Sequence, residues 1–210
     1  MSSKKRTAKN KTAKKRLHKK TEKVFEDKDY SSNDGMLVTV WGPPAWHMLH
    51  TMSFNYPVNP TPLDKENYRN FILGLRHTLP CGKCRKNLVK NMKKMPLTMS
   101  EMASRDSFSR YIYKLHEAVN KMTNKKSGLT YEDVRERYEH FRARCTTPMD
   151  KKESQVDKSK PETGCVVPLY GEKSKCVLNI IPQSKKCKSL IIDKKCIKHR
   201  IIPRTEKKEK

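Results

Sequence analysis

The large side chains able to build a core are crowded into one stretch of this chain. Both tryptophans lie at positions 41 and 46, and beyond Phe141 the only aromatic residue is Tyr170. A 210-residue chain that is 34% hydrophobic and 33% charged is too lean to bury a core along its whole length. Residues 36–145 concentrate the apolar content and are long enough for one hydrophobic centre. The flanks are of another kind. Residues 1–23 hold eleven Lys or Arg against the single acid Glu22, and residues 146–210 hold seventeen against eight. The chain therefore reads as a basic, disordered arm and linker (1–35), a folded domain (36–145) and a Cys/Lys-rich tail (146–210).

The folded stretch carries helical periodicity. In WGPPAWHMLHTMSFNYP the two prolines suit a first helical turn, where a missing N–H does no harm. Trp46, Leu49, His50 and Ser53 follow at helical spacing until Pro57. Tyr68, Phe71, Ile72, Leu75 and Leu79 then mark one face of a second helix. Pro80 interrupts it, and CGKCRKNLVKNMKK restarts with its cysteines in the first turn. Phe108, Ile112, Leu115, Val119 and Met122 form the next stripe. Thr130 and Asp133 are set to cap a last helix, with Val134, Tyr138 and Phe141 facing inward. The pattern predicts an all-α domain of four or five helices with short connections and no strand, a small bundle. In the tail, CVLNIIP, CKSLIID and CIKHRIIP are short β-branched runs, each beside a cysteine, which suit short strands or an unordered segment.

A formal net charge of +26 favours anionic partners: nucleic acid, a phosphate-bearing cofactor, an acidic membrane surface or an acidic protein. The first twenty residues contain no acid and no apolar run, so they read as a polycation and not as a secretory signal. Their functional reading is nuclear import or non-specific nucleic-acid contact. No apolar run approaches the ~18–20 residues of a membrane span.

Seven cysteines, at 81, 84, 145, 165, 176, 187 and 196, are an odd set without a leader, which favours metal or redox chemistry over a secreted disulfide framework. Only Cys81 and Cys84 form a CxxC. Structural zinc commonly takes two such pairs, and no second one exists here; no metal ligand set is assigned. A thioredoxin-like site would need a strand before the CxxC, whereas a helix precedes it. A redox pair opening a helix fits better. The unpaired N–H groups there favour a thiolate, and Lys83, Arg85 and Lys86 add positive charge. Such a dithiol needs an electron acceptor. Trp46 and His50, four apart, and His116 and Asn120, four apart, place rings and polar groups on two helix faces where a planar cofactor could sit. The competing class is a basic nucleic-acid-binding or virion structural protein with a zinc- or disulfide-stabilised cysteine cluster.

The order GPPAWHMLHTMSFNYP, PCGKC, LHEAVNKMTNKKSGLTYEDVRERY resembles the Erv/ALR family of FAD-linked sulfhydryl oxidases. That family pairs W-x-x-L-H…Y-P, Y-P-C-x-x-C and H-N-x-V-N-x-x-L-x-K in this order. No single piece is specific; three in order over about residues 40–145 are. The resemblance implies a four-helix bundle with a short fifth helix, holding FAD against the CxxC. It implies that Cys81 meets a protein dithiol substrate, that Cys84 is the electron-passing thiolate, and that electrons go on to O2 to give hydrogen peroxide. It assigns cofactor contacts to Gly42, Trp46, His50, Tyr56, His116, Val119, Asn120, Lys125, Arg137 and Tyr138. Cys165, Cys176, Cys187 and Cys196 become candidates for a shuttle, and a homodimer is expected. Location follows the viral members, in host cytoplasm or virion, with the mitochondrial intermembrane space as the alternative. This chain departs from the family at Leu79 (an aromatic there), Glu117 (Asn) and Thr123 (Leu). Tyr113 and Tyr131 stand where members often carry a further disulfide.

Overall fold

The computed structural model describes residues 25–146, 164–188 and 190–198. Most of the basic arm, residues 1–24, lies outside the described residues, as does much of the tail. The described part of the segment Met1–Asp34 carries one helical turn, α1 (Asp27–Tyr30). Its start is a capping box between Glu26 and Asp29.

From Gly35 onward the chain forms a bundle of α2 (Val38–Phe54), α3 (Pro62–Thr78), α4 (Gly82–Lys94) and α5 (Arg105–Met122), followed by the shorter α6 (Tyr131–Glu139). Local chemistry sets the starts. Thr61 and Asp64 close a capping box on α3, and Thr130 and Asp133 close another on α6. Ser104 accepts from the Ser107 N–H to begin α5. α5 ends in a Schellman arrangement: the Lys125 N–H bonds the Asn120 carbonyl, the Asn124 N–H bonds that of Lys121, and Asn124 takes φ 55°.

α2 packs on α5 and α6, and α4 bridges α3 and α5. The main core gathers Ile72 of α3, Leu88 and Met92 of α4, and Phe108, Tyr111, Ile112 and Leu115 of α5, joined by Tyr56, Leu97 and Met102 from the connections. A second cluster, Phe54, Tyr131 and Val134, joins the end of α2 to α6, with Tyr113 and Tyr138 packed against it. Each fully buried side chain here contributes roughly 1.5–3 kcal/mol by transfer out of water.

Three features differ from the sequence reading. α2 begins a turn before its prolines, so Pro43 and Pro44 lie inside it. The helix tolerates them because only two N–H bonds, near its start, are lost. Phe71 and Met122, expected on buried stripes, are 39% and 41% exposed. The chain also contains a strand pair where none was expected. β1 (Ala143–Thr146) runs antiparallel to β2 (Gly164–Pro168). Cys145 and Cys165 face each other across it and are disulfide-bonded. Arg142 fastens this element to the bundle by donating to the Phe54 carbonyl (2.6 Å) and pairing with Glu139. Farther on, Gly171, at φ 65°, packs against the backbone of Lys195 and Cys196, too close for a Cβ.

Candidate active site

Pro80 ends the α3 connection, and Cys81 becomes the N-cap of α4. Its Sγ accepts the Cys84 N–H at 3.2 Å, and the two cysteines are disulfide-bonded with Cα atoms 5.2 Å apart. Both are half-buried. Arg85 turns back and donates to the Leu79 carbonyl, which fixes the loop that presents the pair. No acid occupies the first turn of α4, so no carboxylate of that turn offsets the helix's positive end at the sulfurs.

The start of α2 is tied to this loop. The Met36 N–H bonds the Pro80 carbonyl at 2.9 Å, and the Trp41 indole N–H bonds the Met36 carbonyl at 3.0 Å. Gly35 passes so near that a Cβ would stand 3.0 Å from the Pro80 oxygen. Gly42, Trp46 and His50 then follow along α2 at intervals of four, on one face.

That face meets α5 in a cluster of rings. Trp46 stacks on His116, with centroids 4.0 Å apart and planes 6° from parallel. His50 Nε2 lies 2.9 Å from His116 Nδ1 in a hydrogen bond. Tyr138 of α6 stacks on His50 at 5.2 Å and on Phe54 at 5.5 Å. His47 closes the side, with Nδ1 3.3 Å from the Tyr138 hydroxyl and its ring edge-on to Phe141. Burial holds both central imidazoles neutral. His50 is lowered to about 3, with His116 and His47 adding repulsion. His116 is lowered to about 4 by burial, Glu117 opposing and Lys125 reinforcing. Burial pushes the Tyr138 phenol up to about 12, with Arg137 opposing.

Among the sequence-assigned residues, the fold therefore brings Trp46, His50, His116 and Tyr138 into one cluster. Val119 and Asn120 lie one turn further along α5, half-buried, and Lys125 is exposed just past its end. Asn120 donates to the Glu117 carboxylate at 2.9 Å, so the unusual acid at 117 has a defined partner. Arg137 is half-buried beside Tyr138. Tyr56 stands apart from the ring cluster. It is fully buried in the main core, donates to the Met102 carbonyl at 2.9 Å, and packs against Tyr68 and Phe108. Tyr113 and Tyr131 meet edge-to-face at 5.9 Å, filling with rings the place the resemblance gives to a disulfide. Of the shuttle candidates, Cys165 is bonded to Cys145, Cys176 and Cys187 are exposed thiols, and Cys196 is half-buried. His47, Phe54 and the Gly35–Met36 segment were not singled out from the sequence. The triplet Trp46, His47, His50 at i, i+1, i+4 was the available signal for His47.

The cluster fits a planar heteroaromatic group with polar edges. His50 Nδ1 is buried and has no hydrogen-bond partner among the described residues, a state that costs about 1–3 kcal/mol until a polar atom meets it. Gly42 is buried, yet a Cβ there would touch only Val38 Cγ1, at 3.7 Å, so the α2 face has room beside the indole. Flat neutral rings and an unfilled polar atom suit the planar ring system of a flavin.

The chain is similar to known proteins over this same segment. Residues 43–139 match the Erv1/Alr family, a span that runs from the first proline of α2 to the end of α6. The “Probable FAD-linked sulfhydryl oxidase” of Acanthamoeba polyphaga mimivirus is 39% identical over 99 residues, covering 47% of this chain and 68% of that protein. The “FAD-linked sulfhydryl oxidase” of African swine fever virus is 33% identical over 100 residues, covering 46% of this chain and 80% of that protein. The crystal structure of the yeast Erv1 core aligns with a TM-score of 0.46 at 23% identity, covering 58% of this chain and 95% of that one. With the CxxC at the mouth of α4, the ring cluster between α2, α5 and α6, and relatives aligned along most of their own length, this chain belongs to the Erv1/Alr family.

Proposed function

We propose that the protein is an FAD-dependent thiol oxidase that forms disulfides in protein substrates. The observation that carries this reading is the Cys81–Cys84 disulfide at the start of α4, with Cys81 as the N-cap. A substrate thiolate attacks Cys81 Sγ; the Cys81–Cys84 bond breaks, and Cys84 leaves as the thiolate. The second substrate thiol, losing its proton, attacks the mixed disulfide, and Cys81 leaves as the thiolate. The substrate gains one disulfide, and the enzyme pair holds the two electrons. The Cys84 N–H and the positive end of α4 are placed to stabilise the departing Cys81 sulfur. FAD, when bound, supplies the two-electron acceptor that restores the Cys81–Cys84 disulfide, with O2 as final oxidant and hydrogen peroxide as product.

The chain's own residues prepare that site. Trp46, His50, His116 and Tyr138 supply the ring faces, and His50 Nδ1 the open polar contact. Gly42, Val119, Asn120, Lys125, Arg137 and Tyr56 complete the assignment, with Tyr56 acting through packing. Neutral imidazoles keep a proton available for donation without placing charge inside the cluster.

The working form is a homodimer, and Cys165, Cys176, Cys187 and Cys196 relay electrons from bulky substrates. Unchanged turnover of a reduced protein by a variant in which Cys165, Cys176, Cys187 and Cys196 are all changed to Ser would dismiss the relay. The basic arm adds non-specific nucleic-acid contact. The viral relatives favour action in host cytoplasm or virion over the mitochondrial intermembrane space. The central test is oxygen consumption with a dithiol: Cys81→Ser and Cys84→Ser each abolish it while FAD stays bound. Full activity in either variant refutes the assignment.

A further inference from the structure

The sequence around the redox pair is one-sided in charge. Between Glu66 and Glu101 there is no Asp or Glu, while Arg69, Arg76, Lys83, Arg85, Lys86, Lys90, Lys93 and Lys94 give eight positive charges, a formal +8. Five of these are lysines on α4, and all five are exposed: Lys83, Lys86, Lys90, Lys93 and Lys94. At 3.6 residues per turn they fall within an arc of about 100°. The opposite side of the helix buries Leu88 and Met92 in the core. No carboxylate on α4 stands three or four residues away to neutralise them. Lys83 even occupies the first turn, where the helix dipole disfavours a cation. The stripe begins in the turn that holds Cys81 and Cys84 and runs about 16 Å along the helix. An extended peptide covers that length in about five residues.

We propose that the α4 lysine stripe is a docking track for acidic polypeptide substrates. It would select cysteine pairs that have a short run of Asp or Glu on one flank. This rests on the thiol-oxidase reading and names the substrate class of the same site. By the same helical spacing Cys81 and Cys84 fall about 170° and about 130° round α4 from the centre of the stripe but share its end of the helix, so a substrate whose acidic flank lies on the stripe brings its thiols over the helix mouth to Cys81. Nucleic acid is the competing occupant of a basic face. The observation that favours a polypeptide is the shared turn, which couples charge recognition directly to the sulfur chemistry.

The test uses the full-length protein and two synthetic peptides that share one cysteine pair and differ in a flank of five Glu or five Lys. Each rate is normalised to turnover of the uncharged dithiol dithiothreitol by the same protein. The wild type favours the Glu-flanked peptide in kcat/KM by about tenfold or more at low salt. That preference collapses near 1 M salt, where the screening length is about 3 Å. The variant Lys90→Glu, Lys93→Glu, Lys94→Glu changes only residues at least six positions beyond Cys84, and it inverts the preference. The Gln versions at the same positions abolish it without inverting it and guard against misfolding of the reversed-charge variant. An equal rate for both peptides in the wild type overturns the proposal, as does a preference that survives charge reversal. So does the finding that charge reversal spares both peptides but removes retention of duplex DNA. Absence of dithiothreitol turnover in the wild type instead sinks the oxidase reading.

Discussion

Mild acid should loosen this protein through two imidazoles, well before its carboxylates respond. His50, lowered to about 3, and His116, lowered to about 4, stay neutral in the folded chain chiefly because burial penalises their charged forms. Their shared hydrogen bond also requires one nitrogen to accept, which a doubly protonated pair cannot do. In the unfolded chain both bind protons near the ordinary 6.5. Their folded values are therefore depressed, so the stability they permit is complete above about pH 6.5 and is lost as pH falls towards about 4 and then 3. At pH 5 each unfolded imidazole gains about 2 kcal/mol by protonation, so the pair costs the fold about 4 kcal/mol relative to neutral pH. Glu139, Asp64 and Glu101 are held low by hydrogen bonds from Arg142, Thr61 and Thr98, and they withdraw stability only below the usual carboxylate range. The assay is urea unfolding at pH 7.5 and 5.0. The wild-type midpoint falls by roughly 2 M, given a slope of about 2 kcal/mol per molar urea. His116→Gln keeps a polar partner for His50 and removes about half of the loss. A loss in His116→Gln as large as in the wild type would refute the reasoning.

Two further outcomes test the packing. Ile112→Ala, at a side chain with no exposed surface in the main core, should cost about 2–5 kcal/mol in the same assay. Cys145→Ser should cost about 3 kcal/mol in the chain-entropy view of a cross-link spanning 20 residues, and should make the strand pair's stability insensitive to reductant.

Much of the bundle could be read before any coordinates, because its signals are local. The Thr130–Asp133 box announces a helix start within four residues, and Phe108, Ile112 and Leu115 declare a buried face by spacing alone. What escaped notice depends on distant partners. The Cys145–Cys165 strand pair joins residues 20 apart in sequence, and ARCT shows no alternation to mark a strand. Phe71 and Met122 continue their stripes in sequence, yet each keeps about 40% of its surface exposed, because spacing along a helix does not say which neighbour covers it. Tyr56 matched a cofactor motif, yet its hydroxyl is taken by the Met102 carbonyl, 46 residues on. The redox pair was legible as chemistry. Its attachment to α2 through Met36 and Pro80 was not, because that link is a backbone hydrogen bond and carries no side-chain signature.

The most direct measurement is anaerobic mixing of the purified holoprotein with dithiothreitol while following the yellow absorbance of its oxidised flavin. The wild type should bleach, and the Cys81→Ser and Cys84→Ser proteins, equally yellow at the start, should not. Bleaching at the wild-type rate in either variant, or a wild-type protein that carries no flavin, would contradict the account.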